Sequence, residues 1–247
     1  MTQEFNLGVQ PSIESPYPPW PAETVVIVEM AIRAAAERVR RSKQRRRRQA
    51  AKENDLTHWL RQELGYLWRT GDVPGYSYEM FERPRRGEEV ENYNGKAISK
   101  KPDMAFYRLG NPAAVVDPFH DGWFCECKIL DPAHSLRDYL REGIMRFVKG
   151  DYAWAMPAAQ MIGYVRQPFG GDYSPNTQLA SYMGYRYRRG DKRTCAAVAR
   201  LRTNKATPCA LAGNPPVFVT RHGRGFKLSN GAKPGDIELR HLWLQMT

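Results

Sequence analysis

The run Trp123-Phe124-Cys125-Glu126-Cys127-Lys128-Ile129-Leu130 constrains the fold more than any other segment, because it places an acid and a base inside an otherwise apolar stretch. In an extended strand side chains i and i+2 share a face. Glu126 and Lys128 therefore project together, and Cys125, Cys127 and Ile129 project to the other side. Apolar residues on both faces predict a central strand covered on each side, hence helices layered over a sheet and an α/β fold class. Burying Glu126 and Lys128 without partners is costly. Either an ion pair between them, or a metal and a water, offsets that cost.

The flanking patterns supply the rest of the layering. Val25, Val28, Ile32, Ala35 and Val39 recur at helical spacing from 22 to about 41. Leu56, Leu60, Leu64 and Leu67 do the same over 53–68, ending near Gly71. Strand-like runs follow at 76–83, 103–109 and 123–130. Ser135 with Asp138 is a capping-box signature for a helix carrying Leu136, Leu140, Ile144, Phe147 and Val148 up to Gly150. A further turn or two is expected within 152–160, interrupted at Pro157, and then a short buried strand at 161–165. Ile237, Leu239, Leu242 and Leu244 suit a closing strand over 236–244. The order of the core is helix, three strands, helix, strand.

A chain of 247 residues accommodates one elaborated domain. Residues 1–21, with five prolines, are expected to be an extended or disordered arm, and 22–50 a basic N-terminal helical extension. The core spans 51–170, and 171–247 form a basic C-terminal elaboration packed on it, with the boundary at Gly170-Gly171. No uninterrupted apolar stretch suits a signal peptide or a membrane span: Glu29 and Arg33 break the apolar run at 25–36. A soluble, cytoplasmic chain with no membrane partner is expected, and four cysteines in this length suit a reducing compartment.

The formal charge of +12 favours a polyanionic partner such as nucleic acid. Eight of the eleven residues from 38 to 48 are basic, including Arg45, Arg46, Arg47 and Arg48. This run suits a phosphate-contacting segment, a solvated helix face or a localisation signal. Residues 182–228 carry eleven Lys and Arg against the single acid Asp191. There Arg186, Arg188 and Arg189 interleave with Tyr185 and Tyr187, and Arg221, Arg224 and Lys227 cluster with glycines. That mixture suits stacking and backbone contacts on nucleic acid, or a salt-laced strand.

Pro102-Asp103 opens the strand before Glu126. If Asp103 lies beside Glu126, the two carboxylates suit one hard divalent cation, with Mg²⁺ favoured by a carboxylate and water environment. Lys128 then stands where it orients an attacking hydroxide or stabilises charge building on phosphorus. An ion pair in an unrelated α/β domain is the alternative.

Pro102-Asp103, 22 intervening residues and Glu126-Cys127-Lys128 resemble the motif of the PD-(D/E)XK nuclease superfamily, whose fold is restriction-endonuclease-like. That core is a helix, a three-stranded meander, a helix and a fourth strand in a mixed sheet, and the resemblance covers roughly 53–165. It implies that Asp103 and Glu126 are metal ligands, that Lys128 is the catalytic lysine, and that the main-chain carbonyl of Cys127 is a further ligand. It also implies Mg²⁺ as cofactor, with Mn²⁺ able to substitute. Many members add a Glu from the preceding helix. Glu53 lies within about 20° of the mean direction of the leucine stripe and Glu63 about 60° off it, so Glu53 is preferred. The expected function is hydrolysis of DNA phosphodiester bonds, with a role in defence against foreign DNA by analogy. A non-catalytic nucleic-acid-binding or assembly module and a structure-selective resolvase or repair nuclease are the alternatives. A homodimer, or a partner protein in a defence or repair complex, is compatible with each.

Weaker readings complete the set. Cys125, Cys127, Cys195 and Cys209 with His222 make a poor zinc site, since C-x-C on a strand is not ligand spacing. His120-Asp121 make a turn or line the rim of the site. Tyr139, Arg146 and Lys149 are placed on or near the exposed side of the capped helix, within reach of a substrate backbone.

Overall fold

A computed structural model describes residues 17–42, 50–166, 175–188 and 217–246, apart from single positions 88, 98, 111, 113, 114, 116, 132, 133, 135 and 229. The chain is α/β, built on one open five-stranded mixed sheet. Its helices are α1 (Ala22–Arg41), α2 (Glu53–Thr70), α3 (136–149) and α4 (Pro175–Arg188). Its strands are β1 (Met104–Tyr107), β2 (Gly122–Leu130), β3 (Ala158–Val165), β4 (Phe218–His222) and β5 (Ile237–Gln245). They lie in the order β1-β2-β3-β5-β4. The two inner pairings, β2 with β3 and β3 with β5, are parallel, and the outer two are antiparallel. Among the described residues no helix is long and apolar enough to cross a membrane.

All nine residues of β2 are buried, as its two-sided apolar pattern requires. The register puts Glu126 beside Met161 and Lys128 beside Gly163, so these four share one face. α3 covers that face: a Cβ on Gly143 would stand 2.6 Å from Met161 Cε and 3.5 Å from Lys128 Cγ. α1 and α2 cover the other. Buried Glu29 of α1 accepts from Arg240 of β5 at 2.7 and 3.0 Å, and Thr57 of α2 hydrogen-bonds Tyr164 of β3 at 3.0 Å. The sandwiching helices leave little of the sheet's polar backbone to water, which is why the inner strands read as apolar runs.

Several expectations are corrected. The run at 76–83 forms no strand, because Gly75 at φ 78° and the turn bonds Met80 N–Ser77 O and Phe81 N–Ser77 O fold it on itself. What remains is a partner of β1 through the isolated bridges Phe81–Arg108 and Arg85–Ala105, with Pro84 between them lacking an N–H to donate. Residues 152–157 make bends and no helical turn. Of the arm, only 17–21 are described, and they are packed: Tyr17 N donates to Ala155 O at 2.7 Å and Trp20 Nε1 to Asp121 Oδ1 at 2.9 Å. Residues 1–16 lie outside the described residues. The strand expected to close the fold is instead internal, since β5 sits between β3 and β4. The sheet thus runs through the boundary expected near residue 170.

α3 begins as α-helix over Leu136–Asp138, widens to a π-helix over Tyr139–Ile144 and returns to α-helix over Met145–Lys149. It ends on Gly150 at φ 75°, a left-handed stop that glycine adopts without Cβ strain. The π turn lies directly over Lys128, and such turns are frequent at functional sites.

Candidate active site

β1 stops at Met104, opposite Cys125, while β2 continues for five more residues. Past that point the β1 side of β2 offers main-chain N–H groups with no strand to receive them. Two carboxylates do. Asp103 Oδ2 accepts from Cys127 N at 2.7 Å, and Glu53 Oε2, from the first residue of α2, accepts from Ile129 N at 3.3 Å. The α2 terminus is set by Lys52 N donating to Asp55 Oδ2 at 2.9 Å, which starts the helix so that Glu53 faces the strand edge. Pro102 is held from behind by Gly87, where any Cβ would stand 2.1 Å from Pro102 O.

Lys128 Nζ is the common point. It lies 2.7 Å from Glu126 Oε1, 3.0 Å from Glu53 Oε1, 3.9 Å from Asp103 Oδ2 and 2.8 Å from the Cys127 carbonyl. The fold therefore brings together Asp103, Glu126, Lys128, Glu53 and the Cys127 main-chain carbonyl at one place. Glu63 is elsewhere, paired with Arg38 at 2.5 Å on the surface between α1 and α2.

Electrostatics follow from burial. Glu126 has no exposed side-chain area, and burial, reinforced by the charge of Asp103, pushes its carboxyl up to about 7 despite Lys128 and Arg146. Burial would lower Lys128, yet Glu126, Asp103 and Glu53 outweigh it and raise the ammonium above its usual range. The second oxygen of Glu126 accepts from the hydroxyl of buried Tyr152, and Arg146 Nη1 stands 3.4 Å from the first. Burial and then Glu126 raise the Tyr152 phenol, so it stays protonated and remains a donor. Tyr152 was not foreseeable: it lies 26 residues from Glu126 in a stretch of bends with no periodic signal.

The donor set is oxygen throughout, as a hard divalent cation prefers. Among the described residues, no three His, Cys, Asp or Glu side chains are arranged to hold a metal ion directly. The ammonium of Lys128 stands between the carboxylates, balancing part of their charge.

Other sequence candidates resolve differently. Tyr139 is fully buried and hydrogen-bonds His241 Nδ1 at 2.8 Å, so it is a core residue and not an exposed contact. Arg224 is buried too. Its guanidinium donates to the carbonyls of Ala153, Trp154, Met156, Pro234 and Gly235 and braces two loops, which removes it from any nucleic-acid surface. Burial lowers it to about 10. Arg221 is exposed and lies 3.5 Å from Asp236. Arg186 and Arg188 fall on α4 with side chains outside the described residues. Arg45, Arg46, Arg47, Arg48, Arg189, Cys195 and Cys209 also lie outside them. Cys125 and Cys127 are buried thiols that burial pushes up, and His222 bonds Thr220 at 2.6 Å, so these three form no zinc site. Asp121 is a brace for Arg108, at 3.1 Å, and for Trp20. His120 packs at a tilt of 52° against Trp154, ring centroids 4.5 Å apart.

Comparison with protein-family models, with curated proteins and with solved structures returns no match.

Proposed function

We propose that the chain is a metal-dependent nuclease that hydrolyses DNA phosphodiester bonds at the site formed by Glu53, Asp103, Glu126 and Lys128. The observation that carries this reading is the meeting of three carboxylates and a main-chain carbonyl within 3.9 Å of one ammonium at an uncovered strand edge. Glu53, Asp103, Glu126 and the Cys127 carbonyl are the groups that would hold Mg²⁺ once their oxygens turn from the Lys128 ammonium that now stands among them; the ion when bound lowers the pKa of a water and neutralises phosphate charge.

The remaining chemistry belongs to the chain. Lys128 Nζ, kept protonated by its carboxylates, sits to stabilise negative charge on the phosphate oxygens as a water oxygen adds to phosphorus and the ester oxygen leaves. The proton that the water loses passes to solvent, and the leaving ester oxygen takes one up from solvent. Tyr152 and Arg146 hold the Glu126 carboxylate in one orientation.

A second reading has an observation of its own. Each carboxylate already has a partner in Lys128 or a main-chain amide, which suits a non-catalytic nucleic-acid-binding module of the same fold. Supercoiled plasmid separates the two. Nicking or linearisation with Mg²⁺, absent with EDTA and reduced at least a hundredfold by Asp103→Ala and by Lys128→Ala, is the expected outcome, about 10² being typical for one lost catalytic group. Cleavage that survives both substitutions removes the nuclease assignment from this site. Salt-sensitive binding with no cleavage favours the module.

A further inference from the structure

A polar cleft of about 430 Å³ lies between residues 99–101 and α3 and shares Arg146 with the site. Five cations line it, namely Lys100, Lys101, Arg141, Arg146 and Lys149, against two carboxylates, Glu142 and Asp151. Lys100 is 3.4 Å from Asp151, and Lys101 reaches out to Glu89 at 2.7 Å. Lys149 makes no ion pair among the described residues. Arg146 joins the cleft to the site, because its guanidinium lines one and lies 3.4 Å from Glu126 of the other while its side chain is 37% exposed. The lining's one large apolar side chain is Met145, so the cleft has no platform on which a base could stack.

A second cationic group lies on the opposite side of the sheet edge. Arg61 of α2, whose guanidinium is lowered first by burial, is also close enough to Arg83 and Arg86 to feel their charge. Arg83 is held against α2, its Nε 3.8 Å from where a Cβ on Gly65 would stand. Gly87, next to Arg86, packs on Pro102, so this segment adjoins Asp103. Arg61 is eight residues along α2 from Glu53, or about 12 Å at 1.5 Å per residue. At 3.4 Å of helix axis per phosphate of one strand, that distance corresponds to roughly three phosphates of axial rise. Like charges gathered together are unfavourable in the free chain and are offset by a bound polyanion.

We infer that the cleft of Arg141, Arg146 and Lys149, continued across the β2 edge by Arg61, Arg83 and Arg86, is a track that seats the sugar-phosphate backbone of a nucleic-acid strand without reading its bases. The inference rests on the nuclease reading for the reason a strand should cross this edge, but its test does not. Positively charged side chains on α2 and α3 lie on opposite faces of the sheet, and the carboxylate site sits at the edge between them. A strand touching both groups passes over Lys128.

Binding is measured by fluorescence anisotropy of a labelled short DNA duplex of random sequence, with EDTA present so that cleavage does not intervene. The full chain is compared with Arg141→Ala/Lys149→Ala, Arg61→Ala/Arg86→Ala and, as a surface control away from both groups, exposed Lys233→Ala. Each double variant is expected to weaken binding at least tenfold, equally for duplexes of different sequence. Each should also flatten the slope of log affinity against log salt by about 0.9 for every phosphate that is no longer neutralised. Lys233→Ala should leave both unchanged, and circular dichroism confirms that the variants fold. Unaltered affinity and slope in both double variants overturn the track, whatever the plasmid assay shows. Sequence-dependent weakening overturns the claim that bases are not read. Equal binding of polyglutamate, abolished in the same variants, overturns nucleic acid as the occupant. Loss of binding in the variants with no cleavage by the unaltered chain leaves the track standing and removes the nuclease reading instead.

Discussion

At Lys128 a single ammonium meets three acidic side chains inside a largely dry pocket, and the balance of charge rests on whether Glu126 carries its proton. Its carboxyl is moved from 4.5 to about 7, first by burial and then by Asp103, with Lys128 and Arg146 pulling the other way and Tyr152 donating to the second oxygen. A folded value above the unfolded one means that the folded chain holds the proton longer. The contribution to stability is therefore complete below 4.5 and is lost as pH rises through about 7. Buried His222, lowered to about 3, and His241, also lowered, act oppositely and lose stability as pH falls below 6.5. Comparison with Glu126→Gln isolates the first effect. In EDTA, urea unfolding should find the two proteins alike at pH 5 and the unaltered chain less stable by on the order of 3 kcal/mol at pH 8. Mg²⁺ should recover stability at pH 8 for the unaltered chain only. A difference that does not change with pH would mean Glu126 is ionised throughout. Asp103, Glu126 and Lys128 are legible in the sequence because Pro-Asp and acid-x-Lys sit on strand-like runs. Glu53 is legible because it lies on the apolar side of its helix. Tyr152, and the structural duty of Arg224, are not, since both depend on loops whose course no local pattern specifies.

At the scale of elements, the site exists because β1 is shorter than β2. Asp103 and Glu53 take the place of a strand, accepting the amides of Cys127 and Ile129, so the groups that satisfy the edge are also those that form the site. Helices α1 and α2 and strands β2 and β3 follow their hydrophobic periods closely. The π turn of α3 does not announce itself, because one extra residue in a turn leaves the apolar spacing over 136–148 almost unchanged. The run at 76–83 has the alternation of a strand but lies at the outer side of β1, where turn bonds and Pro84 compete with pairing. Two glycines test how tightly the layers meet. A Cβ on Gly163 of β3 would stand 2.5 and 2.7 Å from ring atoms of Trp243 and 2.9 Å from Leu130, and the indole is a rigid ring with no flexible end to turn aside. A Cβ on Gly143 of α3 meets the far end of Met161, which can turn aside. Gly163→Ala should cost about 1–3 kcal/mol in urea unfolding, whereas Gly143→Ala should lie within about 1 kcal/mol of neutral, helped by the better helix propensity of alanine. Equal costs would show that the packing between Gly143 and Met161 is as unyielding as that between Gly163 and Trp243.

At the scale of the whole molecule, the C-terminal strand is what makes the sheet continuous. Composition suggests a separate basic region after residue 170, because the polar segment that precedes β4 dominates the count of charges, and a nine-residue strand at its end is easily read as an edge. Yet β5 is parallel to β3 along eight residue pairs and has β4 on its other side. Its Ile237, Leu239 and Leu242 are fully buried, and Arg240 supplies the partner of buried Glu29. Gln160 of β3 donates to the Arg240 carbonyl at 2.7 Å. Without this strand, β3 would present an unpaired inner edge, α1 would keep a buried carboxylate without its cation, and both faces would lose apolar cover. Glu126 and Lys128 lie on β2, whose parallel partner is β3, so loss of β5 should reach the site through one strand. A chain ending at residue 216 is accordingly expected to lack a cooperative urea transition and to lose protection of the β2 and β3 amides in hydrogen exchange. A truncated chain that still unfolds cooperatively, with β2 amides protected, would show that the sheet stands without β4 and β5 and that these strands only extend it.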